Sequence, residues 1–178
     1  LRPDQPHFLL TTPAERLELA AACDIDLGIV QPFNLETAQL SPRDFMQQHW
    51  QKALRLMQGA VPGFTDLLEP KAMFALATSQ DVESRLVIRD GKRWILEHGP
   101  FKKSRFGSLP ARDWTLLVQG LNLHVPAADR WLRQFSFLPY ARLDDVMVSL
   151  ATPGGGVGPH FDSYDVFLMQ GMGKRRWK

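Results

Sequence analysis

Residues 153–178, "PGGGVGPHFDSYDVFLMQGMGKRRWK", carry the pattern that decides the fold class of this chain. A glycine run leads into His160 and Asp162, a β-prone apolar run follows, and Lys174, Arg175, Arg176 and Lys178 close the stretch. Along a strand, side chains alternate, so His160 and Asp162 would share one face while Phe161 takes the other. An imidazole nitrogen and a carboxylate oxygen would then converge on one point, as a metal ion requires. The His-x-Asp spacing carries little weight by itself, and a solvent-facing polar pair is the plainer alternative. The glycines before it permit a sharp turn and a close backbone approach. They do not form a nucleotide loop, because a strand and not a helix is expected after them.

The basic residues also have two readings. Residues 163–169 are expected as a strand, 171–173 as a turn, and the chain from Lys174 as an antiparallel return. Such a return would bring Arg175 back toward the His160 and Asp162 side, where a guanidinium can grip a carboxylate bidentately. The plainer alternative is a solvated basic edge that discourages strand-to-strand aggregation.

Upstream, the texture is helical first and β later. Thr12-Pro13-Ala14-Glu15 starts a helix running to about Cys23, with a threonine cap and a glutamate in capping-box position. An irregular connector fits residues 24–40. Ser41-Pro42-Arg43-Asp44 opens a second helix whose Phe45, Met46, His49 and Trp50 form an apolar stripe. A short helix fits 70–78. Runs at 85–88 and 93–97 flank an Asp-Gly turn and predict a hairpin. Helices are expected over 113–122 and 126–135, then a strand over 144–151 and a glycine-rich bend over 153–158. The fold class is therefore α+β, or a jelly roll with a helical approach.

Composition narrows the function classes. The 178 residues suffice for one domain with a real core. No apolar run approaches the roughly 18 residues of a membrane span, and the first residues lack the order of a secretory signal. One cysteine, Cys23, excludes an internal disulfide and suits a cytoplasmic setting. A net charge of +2 is too small to claim a nucleic-acid partner, and no direct nucleic-acid binding is expected. The chain begins at leucine and stops inside an expected strand pair, so it reads as a fragment.

The closing stretch resembles the core segment of the bacterial ribosomal oxygenases, JmjC-like cupin proteins that hydroxylate an arginine of a large-subunit ribosomal protein. Upstream pieces are similar in order and spacing: "FMQQHWQKALRLMQGAVPGF" (45–64), "DVESRLVIRDGKRWILEHGPF" (81–101), "DWTLLVQGLN" (113–122) and "LDDVMVSLATPGGG" (143–156). The resemblance implies a JmjC-type double-stranded β-helix, truncated here, over 35–178, preceded by an extension over 1–34. It implies iron(II), 2-oxoglutarate as cosubstrate and molecular oxygen. His160 and Asp162 would be two of three metal ligands and the catalytic centre, Arg175 would bind 2-oxoglutarate, and Asp145 and Tyr164 would line the pocket for the substrate arginine. The implied partner is a ribosomal-protein loop, with no membrane, and a homodimer is allowed in the complete protein.

Two departures bear on that expectation. Ala53-Leu54 stands where relatives show a basic residue followed by proline. The third ligand should be a downstream histidine, yet none follows Asp162, and His7, His49, His98 and His124 lie on segments the family does not use for metal. The piece by itself is therefore expected to be inactive. The competing expectation is a non-catalytic cupin-like module that docks on a ribosomal protein or RNA.

Overall fold

The computed structural model describes residues 40–52, 61, 64 and 66–176. The helix expected over 12–23, the connector up to residue 39 and the 1–34 extension lie outside the described residues. The chain divides into two compact units, one of residues 66–164 and one of residues 1–65 with 165–178.

The described secondary structure comprises helices α1 (Pro42–His49), α2 (Pro70–Leu76), α3 (Lys103–Gly107), α4 (Leu121–His124) and α5 (Pro126–Leu132), with strands β1 (Ser84–Asp90), β2 (Arg93–His98), β3 (Trp114–Val118) and β4 (Val148–Ala151). In the unit of residues 66–164 the four strands form one antiparallel sheet in the order β2-β1-β3-β4. The expected hairpin is present: Asp90 pairs with Arg93, and Gly91-Lys92 makes the two-residue loop. Gly91 sits at φ +61°, so the positive φ falls on the first loop position, the type II′ pattern that matches strand twist.

One face of the sheet builds the core. Leu86 of β1 and Trp114, Leu116 and Val118 of β3 point together and pack with Met73 of α2, Ala77 just after it, Phe101, Leu121 and Ala128. Phe74 and Phe106 stack at 4.8 Å between ring centroids, and Phe74 lies 6.2 Å from Trp114, so the two short helices close over the strand. Glu97 of β2 and Arg105 of α3 form a bidentate pair at 2.7 and 2.9 Å. The hydrogen bonds from Arg105 hold the Glu97 carboxyl below its ordinary pKa, against a smaller upward push from burial. Both side chains keep about a third of their surface in water (29% and 33%), so the pair contributes less than about 1 kcal/mol.

Three sequence expectations are corrected. Residues 114–118 are a strand, not part of a helix over 113–122. The run Trp-Thr-Leu-Leu-Val has every residue buried between β1 and β4, so it shows no amphipathic period to distinguish helix from strand. The strand expected from 144 starts at Val148, because Asp145 and Val146 are used elsewhere: Gly120 N–H donates to the Asp145 carboxylate, Leu121 N–H to the Val146 carbonyl, and Val146 N–H to Asn122 Oδ1. No strand occurs over 159–176, where 163–169 and the chain from Lys174 were expected to pair. Extended backbone becomes a strand only when a neighbour takes up its N–H and C=O groups in a ladder, and among the described residues the one sheet, β2-β1-β3-β4, does not include this segment.

In the other unit, Ser41 caps α1 as expected: its hydroxyl accepts from Asp44 N–H at 3.1 Å and donates to the Asp44 carboxylate at 2.6 Å. The helix ends where Trp50 N–H meets the Met46 carbonyl at 2.8 Å. Among the described residues no helix is long and apolar enough to cross a membrane.

Truncation of the central strand tests this core. Leu116 is fully buried, so Leu116→Ala is expected to cost about 2–5 kcal/mol in urea unfolding, whereas Leu123→Ala, at a residue 78% exposed, should leave the midpoint unchanged.

Candidate functional site

The geometry of the site begins at the start of β3. Trp114 N–H donates to Thr152 Oγ1 at 3.1 Å, Thr152 N–H donates to the Trp114 carbonyl at 3.1 Å, and Asp113 N–H donates to the Pro153 carbonyl at 3.0 Å. These bonds fasten the end of β4 to the central strand. Immediately beyond, Gly155 N–H returns to the Thr152 carbonyl at 2.8 Å across Pro153 and Gly154, and Gly154 has φ +80°. Proline at the second position and a positive-φ glycine at the third make this a type II turn. Gly155 then runs so close to β3 that a methyl group there would lie 2.2 Å from the Trp114 carbonyl oxygen.

That turn delivers residues 156–158 to the outer face of the sheet. Methyl groups built on Gly156 and Gly158 would lie 3.6 and 3.3 Å from the Trp94 indole, so both glycines cross the ring with no side chain between. Arg89, directly opposite Trp94 across the hairpin, holds its guanidinium 5.9 Å from the ring centroid.

His160 and Asp162 follow. The structure brings them together through irregular backbone and not by strand alternation: His160 Nε2 lies 3.8 Å from Asp162 Oδ2. The other ring nitrogen, Nδ1, is 3.0 Å from the Gly158 carbonyl oxygen. A carbonyl only accepts, so Nδ1 is the donor in that bond, and in the neutral ring Nε2 then carries the lone pair. This is the tautomer a metal-ligating histidine requires, with the second nitrogen anchored on a backbone carbonyl. Two donors on adjacent octahedral positions, each about 2.1 Å from one metal, lie about 3.0 Å apart, so the pair, at 3.8 Å, would draw closer to share an ion. Their side chains are 50% and 42% exposed. Among the described residues no third His, Cys, Asp or Glu stands with them.

The remaining expected site residues are placed as follows. Asp145 is half-buried, with its carboxylate taken by Gly120 N–H at the start of α4. Tyr164 is 60% exposed, in the bend after the pair. Arg175 belongs to the other unit, on irregular backbone with an exposed surface; partial desolvation of the guanidinium lowers its pKa, and it remains a cation at any physiological pH. Sequence reasoning passed over Thr152 and Trp94. Period-2 alternation along β2 could have placed Trp94 on the face away from the core, but nothing local indicates that 156–158 would cross it.

Comparisons with known proteins follow the same outline. Residues 130–178 match the family model described as JmjC domain, and residues 1–65, mostly outside the described part, match one described as FAD synthetase. The chain is 43% identical over 136 residues to the ribosomal protein uL16 3-hydroxylase of Escherichia coli, covering 76% of this chain and 36% of that protein. It is 37% identical over 140 residues to a probable ribosomal oxygenase of Haemophilus influenzae, covering 78% and 34%. A solved structure of the Escherichia coli ribosomal oxygenase YcfD in complex with cobalt and 2-oxoglutarate superposes with a TM-score of 0.66 at 38% identity, over 71% of this chain and 34% of that one. The chain thus spans about a third of the length of the curated relatives it matches. The resemblance to ribosomal oxygenases and the α+β, JmjC-type fold class are borne out.

The turn before the site can be tested directly. Gly155→Ala must displace the β3 carbonyl or the turn, and is expected to cost about 1–3 kcal/mol in thermal or urea unfolding. Gly107→Ala, where a methyl group meets nothing within 4 Å, should be neutral or slightly stabilising.

Proposed function

We propose that this chain is part of an iron(II)- and 2-oxoglutarate-dependent oxygenase that hydroxylates a ribosomal protein, with an arginine of a large-subunit protein as the finer assignment. The observation that carries the proposal is the convergence of His160 Nε2 and Asp162 Oδ2 at 3.8 Å, with Nδ1 bound to a carbonyl, inside the segment matching the JmjC domain. The cobalt and 2-oxoglutarate bound to the related Escherichia coli oxygenase support the same reading.

His160 and Asp162 would hold the metal, one as a neutral nitrogen ligand and one as an anionic oxygen ligand. When bound, iron(II) and 2-oxoglutarate supply the oxidising power that places one oxygen atom from molecular oxygen on a substrate carbon, with succinate and carbon dioxide as coproducts. Arg175 would grip the far carboxylate of 2-oxoglutarate, which a cation holds best through two parallel hydrogen bonds. Asp145 and Tyr164 offer an acid and a phenol suited to a guanidinium. In that role Asp145 would use the carboxylate oxygen not bound to Gly120. Residues 35–178 would form the JmjC-like portion and 1–34 an extension.

Three outcomes test the proposal. In the protein carrying this chain, His160→Ala and Asp162→Ala should each abolish succinate formation with a ribosomal-protein peptide, since fewer ligands hold iron(II) poorly. Residues 1–178 by themselves should also form none. Undiminished turnover in either variant would remove the pair from the metal site. Arg175→Ala should weaken 2-oxoglutarate binding about thirtyfold or more, the equivalent of roughly 2–5 kcal/mol for one lost partner of a charge pair. If Arg176→Ala has that effect and Arg175→Ala does not, the neighbouring arginine is the anchor.

A further inference from the structure

We infer that Trp94 is a positioning residue for the metal-ligand pair: its indole supports the backbone of Gly156 and Gly158 and thereby fixes the carbonyl that orients His160. The inference deepens the proposed function and rests on it for the identity of the ligands. It adds a residue outside the His160–Asp162 motif.

The contacts run from β2 to His160 within residues 66–164. Trp94 is on β2, paired with Arg89, whose guanidinium lies 5.9 Å from the ring centroid and whose Nε donates to the Gly91 carbonyl at 3.2 Å. The indole is therefore held from the hairpin side. A methyl group at Gly158 would lie 3.3 Å from indole Nε1 and Cε2, tighter than most real methyl contacts, so the glycine faces the ring where a side chain would crowd it. The Gly158 carbonyl accepts a hydrogen bond from His160 Nδ1 at 3.0 Å, which sets the ring direction and, in the neutral ring, its tautomer. The His160 and Asp162 side chains are about half exposed. Loop position is then set mainly by the Thr152 turn at one end and by Trp94 beneath the glycines. Removal of the indole leaves the second support empty and lets the carbonyl leave Nδ1.

Long-range proton–nitrogen NMR of the histidine rings reads this in the metal-free 178-residue chain, with the His160 signals assigned by their loss in His160→Ala. The parent is expected in the Nδ1–H tautomer. Trp94→Ala should shift His160 toward the tautomer mixture of an unrestrained ring, and Trp94→Phe, which keeps an aromatic face under the glycines, should restore the parent pattern. Leu96→Ala removes exposed apolar surface from the same face of the same strand, and should change nothing. Cobalt(II) titration, followed on the same ring signals, should need about tenfold or more cobalt in Trp94→Ala, the usual effect of losing a group that orients a ligand. An unchanged tautomer and unchanged cobalt midpoint in Trp94→Ala would overturn the inference, as would an equal shift in Leu96→Ala. Parent-like cobalt binding in Asp162→Ala would instead overturn the metal reading, while the tautomer measurement still decides whether Trp94 orients His160.

Discussion

The backbone of β3 is the constraint on which the unit of residues 66–164 depends. One face of this strand supplies Trp114, Leu116 and Val118 to the core, its edges carry β1 and β4, and its first residues bind the Thr152–Pro153 backbone. A strand buried on every side cannot shift register without breaking ladder bonds and moving its whole side-chain set to the wrong face. The glycine turn hangs from the least adjustable part of the sheet. Consequently the position of His160 is referred back to the core through only a few bonds.

The pair of donors is prepared in a limited sense. The Gly158 carbonyl selects the histidine tautomer, and the nearby carboxylate offers an anionic oxygen. Both side chains stay half exposed, and the apolar residues around them, Phe161 above all at 92%, face water. Charges in water are strongly screened, so the attraction between an exposed pair and a metal is much weaker than in a closed site. Metal chemistry of the proposed kind uses a dry, shaped cavity with three protein ligands. Among the described residues two donors stand 3.8 Å apart, which is a partial site that supplies two of those positions.

Asp145 illustrates how a candidate binding residue can serve the fold as well. Its carboxylate closes the start of α4, next to two backbone and side-chain bonds that tie residues 120–122 to 145–146. A carboxylate has several lone pairs, so one bond to a backbone N–H leaves acceptor capacity for a guanidinium. The same bonds shorten β4, which begins only at Val148. Local propensity at Asp144-Asp145 could not reveal that competition, because Gly120 and Asn122 are distant in sequence.

The sequence by itself determined the elements whose signal is local. The serine cap of α1, the hairpin around Gly91 and the proline-started helices α2 and α5 all follow from capping, turn chemistry and fixed φ. It also contained the His-x-Asp pair and the glycines before it, and the resemblance those residues carry. Tertiary structure alone decided the rest. It made Trp-Thr-Leu-Leu-Val a strand, since a uniformly apolar run takes its conformation from the partners that cover it. It left 159–176 without ladder partners, so the two donors meet through a bend and a carbonyl bond instead of the period of a strand. It placed Trp94 beneath the glycines, because contact between residues far apart in the chain depends on how the sheet folds back on itself and leaves no mark in local spacing.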